Sequence, residues 1–298
     1  MVHAVSQMSV ILAVTEIPYY GKECYKMRNA PSNPDLVARK VAGASVEGEA
    51  KASTGSQTLL RGLDVIEAMG DGPVTLPDLA VRLGLTRSTT HRLATALIER
   101  RYLTFTPRLG YQFGPKLLEL GFLAQRQTDI VQVARPHLEE LAATTEDTVH
   151  LGVLDGERAL YLDKIAGRRR VDIRSRVGDR HPLTSTGLGK ALLIDHAPEN
   201  WAVLFAQDQA AGAPAMDYAV WEGRMRAYAQ SGHSFDLEEN EDLIRCVAAP
   251  IRGAGGAIVA AISVSSAAQY MSDDRMADLA QDVRDAAGAV SRELGWSG

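Results

Sequence analysis

Two helix-start signals stand eleven residues apart, Thr75-Leu76-Pro77-Asp78 and Thr86-Arg87-Ser88-Thr89, with Gly84 between them. Thr75 lies three residues before Asp78, a capping-box-like start with Pro77 in the first turn. The helix it opens spans about residues 76–83, and Gly84 is placed to end it. Thr86 then caps another helix, its hydroxyl accepting from the amide of Ser88 or Thr89. A preceding helix over 56–69 carries Leu59, Leu63, Ile66 and Leu60, Val65, Met69 on adjoining stripes, which predicts a core-facing helix. Asp71-Gly72-Pro73 breaks it. After the third helix, 102–106 and 111–113 are β-branched and aromatic about a turn at Pro107-Arg108-Leu109-Gly110. Three helices followed by a hairpin predict a winged helix-turn-helix over 56–114.

At 100° per residue, Thr90, Leu93, Ala94 and Leu97 share the packed side of the third helix. Ser88, Arg92, Thr95 and Glu99 lie opposite, flanked by Thr89 and His91, with Arg87 at the exposed start. Hydroxyls, arginines and a histidine are groups that bond to base edges and phosphates. The helix start adds free amides and a positive dipole. Arg108 projects from the hairpin tip, where a wing meets the backbone or the minor groove. The candidate DNA contacts are therefore Thr86, Arg87, Ser88, Thr89, His91, Arg92, Thr95 and Arg108.

Charge supports this placement. The chain of 298 residues has a net charge of −5. From Arg82 to Lys116, seven basic residues face the single acid Glu99, a balance of +6, so the remainder carries −11. A basic patch on an acidic protein fits DNA contact at one end; a solvated charge cluster is the plainer alternative.

Residues 1–55 show no sustained period, and 42–56 are small and polar, so a flexible extension is expected there. Met27 offers a later start. The apolar opening from Met8 ends at Glu16, short for a signal peptide and without a basic start, which suggests the cytoplasm and no membrane association. Cys24 and Cys246 give neither a disulfide framework nor metal-ligand spacing, and no metal or cofactor is expected.

Residues 115–127 are amphipathic and read as a linker helix, either carrying a dimer face or packing within the chain. Beyond it, a helix over 130–143 precedes strands over 148–154 and 159–165 joined at Asp155-Gly156, a hairpin signal. A further strand is read over 171–174. Helices follow over 185–195, near Trp201 and over 221–231, then strands over 233–235, 245–251 and 257–265, and a last helix over 272–294. Strands flanked by helices predict an α+β domain with an antiparallel sheet over 128–298.

Catalysis has weak support. Gly187-Leu188-Gly189-Lys190 lacks the full phosphate-loop frame. His181, Ser185 and Asp236 could form a triad on paper, but no nucleophile elbow surrounds Ser185. His150 stands without a partner at ligand spacing and reads as structural. The chain is not expected to be an enzyme.

From about Ser56 to the end the chain resembles the IclR family of bacterial transcriptional regulators. The likeness rests on Leu60-Arg61-Gly62-Leu63-Asp64-Val65-Ile66, on 84–93, on Tyr111-Gln112-Phe113-Gly114, on 182–191, on Ser234-Phe235-Asp236-Leu237-Glu238-Glu239, and on 245–251 with Ala261-Ile262-Ser263-Val264-Ser265. It implies a winged helix-turn-helix, a linker helix and a GAF-like α/β effector-binding domain. It also implies a homodimer or homotetramer on a palindromic double-stranded operator, often acting as a repressor. A small organic acid, sugar acid or aromatic acid would modulate it.

By the same resemblance, Gly187 and Leu188 fall where backbone amides meet a ligand carboxylate. Asp236, Cys246, Ser263 and Ser265 fall on the sheet side of the pocket. Leu188 is larger than the residue found there in regulators of two- or three-carbon acids. Read alone, Cys246 is a small buried hydrophobe, Asp236 a turn cap, and the two serines could face solvent. A sensor module that acts through protein partners and never binds DNA is the alternative function; the basic cluster argues against it.

Overall fold

The computed structural model describes residues 54–298 apart from residue 71. The extension expected over 1–55 lies outside the described residues except for its last two positions, which belong to the first helix; Cys24 lies outside as well. Among the described residues there are nine α-helices, eight strands and one short 3-10 helix.

The first three helices are α1 (Thr54–Glu67), α2 (Leu76–Leu83) and α3 (Arg87–Glu99). Thr75 accepts from the Asp78 amide, and Gly84 takes the left-handed conformation at φ 62° as its amide bonds back to the helix. The Thr86 hydroxyl accepts from the Thr89 amide at 3.3 Å. Strands β1 (Leu103–Thr106) and β2 (Gly110–Phe113) pair antiparallel. Val74 and Tyr111 exchange two backbone bonds of 2.9 Å, which ties the hairpin to the segment before α2. Val65, Met69, Leu79, Leu93, Ala94, Leu103 and Tyr111 form the core of this head.

One expectation for α1 is corrected. Val65 and Met69 are buried, but Leu59 is 66% exposed and Leu60 and Leu63 are also uncovered. Leu59, Leu60 and Leu63 lie on the side of α1 that helices α2 and α3 leave uncovered.

Helix α4 (Pro115–Gln127) has no buried residue, and Leu118, Phe122 and Leu123 are exposed. Helix α5 (Ile130–Thr145) then leads into a six-stranded sheet. Its strands are β3 (Thr148–Asp155), β4 (Arg158–Ile165), β5 (Arg180–His181), β6 (Ser234–Leu237), β7 (Ile244–Arg252) and β8 (Ile258–Ala267), in the order β5-β4-β3-β8-β7-β6 with every pair antiparallel. Gly156, at φ 62°, makes the expected tight turn between β3 and β4.

No strand forms over 171–174. The carbonyls of Ile173 and Ser175 are taken by the ammonium of Lys164, at 2.6 and 2.8 Å, instead of by a neighbouring strand. The edge strand comes later, at Arg180–His181.

The two faces of the sheet have different cover. Helices α5 and α9 (Asp273–Glu293) pack on one face, over Val149, Leu151, Val247, Ile262 and Val264. On the other, α6 (Gly187–Leu192), α7 (Pro198–Ala210) and α8 (Tyr218–Ser231) enclose a second core with Tyr161, Leu188, Trp201, Trp221, Ala248 and Ala261. The second core ends short of the sheet's far end, where polar side chains face a cleft. No helix among the described residues is long and apolar enough to cross a membrane.

Candidate functional site

Two regions collect the candidate residues. On α3, Thr90 and Ala94 are fully buried and Leu93 nearly so, which turns the opposite face outward. Arg87, Ser88, His91 and Arg92 are exposed, as are Thr86 and, at the hairpin tip, Arg108. Thr89 and Thr95 are half-buried. The Thr86 hydroxyl lies 3.0 Å from that of Thr89, so this pair serves the helix cap first. Arg87, Arg92 and Arg108 form no ion pair among the described residues, whereas Arg82 bonds the Ala68 carbonyl and Lys116 pairs with Glu119. The free positive charge of the patch therefore concentrates on α3 and the wing.

The second region is a cleft of about 140 Å³ over the polar end of the sheet. Register builds its floor. Asp236 on β6 is the Cα partner of Cys246 on β7, and Cys246 is the partner of Ser265 on β8. These three line the cleft, as does Gly187 at the start of α6. Thr186 caps α6 by accepting from the Gly189 amide at 3.0 Å. That leaves the first-turn amides of Gly187 and Leu188 without a partner inside the helix. A Cβ on Gly187 would stand 2.9 Å from the Cys246 Sγ, so only glycine allows this approach.

Leu188 and Ser263 are placed otherwise. The Leu188 side chain is fully buried in the helical core, against Gly152, and contributes no wall of the cleft. Its size therefore sets packing beneath the site. Ser263 is fully buried between Ala248 and His150 in the sheet, with its hydroxyl beside the Cys246 thiol.

The reading of single residues missed half of the floor. His150 on β3, Tyr161 on β4 and His181 on β5 also line the cleft, so each of the six strands supplies at least one residue. The His150 and Tyr161 rings are 5.0 Å apart and those of Tyr161 and His181 4.5 Å. The signal available in sequence was alternation: His150 and Gly152 share a face, as do Ala159 and Tyr161.

Electrostatics sharpen the picture. Burial raises the Asp236 carboxyl to about 6, against the pull of Lys190 and of the Glu239 and Asn240 amides. Its Oδ1 accepts from the Glu239 amide at 2.8 Å. Lys190 is itself buried and paired with Glu239, which also binds Arg224. Burial and the Asp236 charge push the Cys246 thiol up to about 11, so it is a neutral wall. Burial lowers His150 to about 3 and lowers His181 as well, so both imidazoles are neutral. The acids at the cleft are Asp179, Asp236 and Glu241, with Arg174 the basic residue at its mouth.

No catalytic triad forms. The Ser185 hydroxyl donates to Asn240 at 3.1 Å, and His181 Nε2 is buried without a partner. Among the described residues no three His, Cys, Asp or Glu stand together to hold a metal.

A head with an outward basic helix, joined to a sheet with a polar cleft, has counterparts among known proteins. The description "Bacterial transcriptional regulator IclR C-terminal" matches residues 122–292, and "IclR helix-turn-helix domain" matches 58–107. The chain belongs to the IclR family of transcriptional regulators. It is 34% identical to the HTH-type transcriptional regulator XynR of Escherichia coli, over 80% of this chain and 98% of that protein. It is 27% identical to the HTH-type transcriptional regulator KdgR of Dickeya chrysanthemi, over 97% of each. The crystal structure of the repressor BlcR of Agobacterium tumefaciens superimposes with a TM-score of 0.66 at 25% identity, over 80% of this chain and 97% of that one.

Membership makes the chain a DNA-binding regulator, built from a helix-turn-helix and a C-terminal α/β effector domain in an α+β fold. The family is one of regulators, not enzymes.

Proposed function

We propose that this IclR-family protein is a two-part switch working in the cytoplasm. Residues 56–114 form the operator-binding head, 115–127 a linker helix and 128–298 the sensor. In this reading Arg87, Ser88, His91 and Arg92 enter the major groove and Arg108 grips the flanking backbone, with Thr86, Thr89 and Thr95 at the margin. The observation that carries it is the uncovered face of α3, where Arg87 and Arg92 have no ionic partner among the described residues. Unpaired arginines at an exposed helix start are placed for phosphates and base edges.

The sensor half takes a small organic, sugar or aromatic acid. Its carboxylate meets the amides of Gly187 and Leu188, and Asp236, Cys246 and Ser265 line the ligand, with Ser263 behind them. Effector binding shifts DNA affinity only by as much as it favours one arrangement of the heads over the other. Two or four copies act on a palindromic operator. Exposed apolar residues on α1 and on α4 support such an assembly, because clustered apolar surface marks interaction sites.

Asp236→Ala tests the division of labour. Binding to the promoter beside the protein's own gene should survive while the response to metabolites is lost. A variant that keeps the response, or one that loses DNA binding while remaining folded, contradicts the two-part reading.

A further inference from the structure

The half of the cleft floor on β3, β4 and β5 has a chemistry of its own. His150 is 1% exposed; its Nε2 lies 2.7 Å from the Ser175 hydroxyl, and its Nδ1 is buried with no hydrogen-bond partner among the described residues. His181 Nε2 is likewise buried and unpartnered. Tyr161 lies between the two rings. A buried polar atom left unpaired is costly, and such atoms are few in native proteins. Both nitrogens are covered, but both belong to residues that line the cleft, so a partner held in the cleft is within reach of a small movement of either ring.

The required partner can be deduced. Both imidazoles are neutral, because burial disfavours their charged forms. Ser175 either donates to His150 Nε2 or accepts from it, so Nδ1 is left as a donor or as an acceptor. A hydroxyl group satisfies either state, whereas a carboxylate satisfies only a donor. The acids Asp179, Asp236 and Glu241 on the same cleft also accept from hydroxyls and would repel a second carboxylate. The flat Tyr161 ring offers apolar surface to the carbon skeleton. Lys164 pins the loop carrying Ser175 through the Ile173 and Ser175 carbonyls, which fixes the imidazole that Ser175 contacts.

We propose that His150, Tyr161 and His181 form the specificity wall of the pocket and read the hydroxyl groups of a polyhydroxylated effector lying across Tyr161. This rests on the regulator reading above and narrows its ligand class.

Matched pairs of acids on the full-length protein test it by thermal shift: gluconate against hexanoate, ribonate against pentanoate, and 3,4-dihydroxybenzoate against benzoate. In at least one pair the hydroxylated acid should raise Tm by several degrees and the plain acid should not. His150→Phe and His181→Phe should each reduce the apparent affinity for that acid more than tenfold. His150→Gln and His181→Gln should retain part of it, and they carry the test if a Phe variant does not fold. Equal shifts within every pair, no shift at millimolar concentration, or an unchanged response in both sets of variants would overturn the wall. Operator binding by the unliganded protein is measured alongside. Its absence sinks the regulator reading; its presence with undifferentiated pairs sinks only the hydroxyl wall.

Discussion

Asp236 and Cys246 face each other as register partners on β6 and β7, and the carboxylate helps keep the thiol protonated. The carboxyl is itself raised to about 6 by burial, and this has a consequence for stability. The folded protein holds the Asp236 proton more tightly than the unfolded chain does. That contribution is complete below the unfolded value near 3.8 and is lost as pH rises through about 6. Asp236→Asn removes the cost of the buried charge and keeps an oxygen for the Glu239 amide. It should raise stability by roughly 1–3 kcal/mol at pH 7.5 and by little near pH 4. Melting curves at the two pH values check this; equal effects at both would contradict it.

His150 works with the opposite sign. Its folded value of about 3 lies below the ordinary 6.5, so its share of stability is complete above 6.5 and is lost as pH falls toward 3. The two groups oppose each other between about 4 and 6. His150→Gln should therefore flatten the acid limb of the stability curve, and Asp236→Asn should steepen it. Chemical denaturation across that range distinguishes the two slopes.

Gly187→Ala is expected to separate sensing from DNA binding. Its new Cβ would stand 2.9 Å from the Cys246 Sγ and 3.4 Å from the Asp236 amide, which narrows the cleft where the proposed effector's carboxylate would lie. Operator affinity should stay within a few-fold of wild type while any effector response falls at least tenfold. Electrophoretic shifts with and without a stabilising acid show whether it does.

The exposed faces of α1 and α4 give a prediction about assembly. Leu118 is 79% exposed and Phe122 60%, on a helix with no buried residue. Leu118→Glu with Phe122→Glu should shift sedimentation toward the monomer and weaken operator binding, since two half-sites are held only by linked heads. Unchanged sedimentation would place the interface elsewhere.

Much of the head was legible because caps and breakers act locally. Thr75, Gly84 and Thr86 each do in the structure what their spacing predicts, and α2 has the predicted bounds. The burial of α1 was not legible: periodicity marks an apolar face but not whether anything covers it, and Leu59, Leu60 and Leu63 are uncovered. On the sensor side, resemblance led to Asp236, Cys246 and Ser265, which share the cleft. The His150, Tyr161 and His181 half lies on strands that follow one another in sequence, and its β3–β4 hairpin was legible at Asp155-Gly156. The pairing of β3 with β8, more than a hundred residues on, sets this half beside Cys246 and Ser265, and no local pattern encodes it.

The most direct test of the account is binding to the promoter fragment upstream of the protein's own gene, followed by fluorescence anisotropy at two salt concentrations. Wild type is compared with the variant in which Arg87, His91 and Arg92 are all alanine. Specific binding should be lost in the variant, and the salt dependence of whatever binding is left should be shallower, as fewer phosphates are neutralised. A variant that binds as tightly as wild type, with the same salt dependence, contradicts the assignment of this face to DNA.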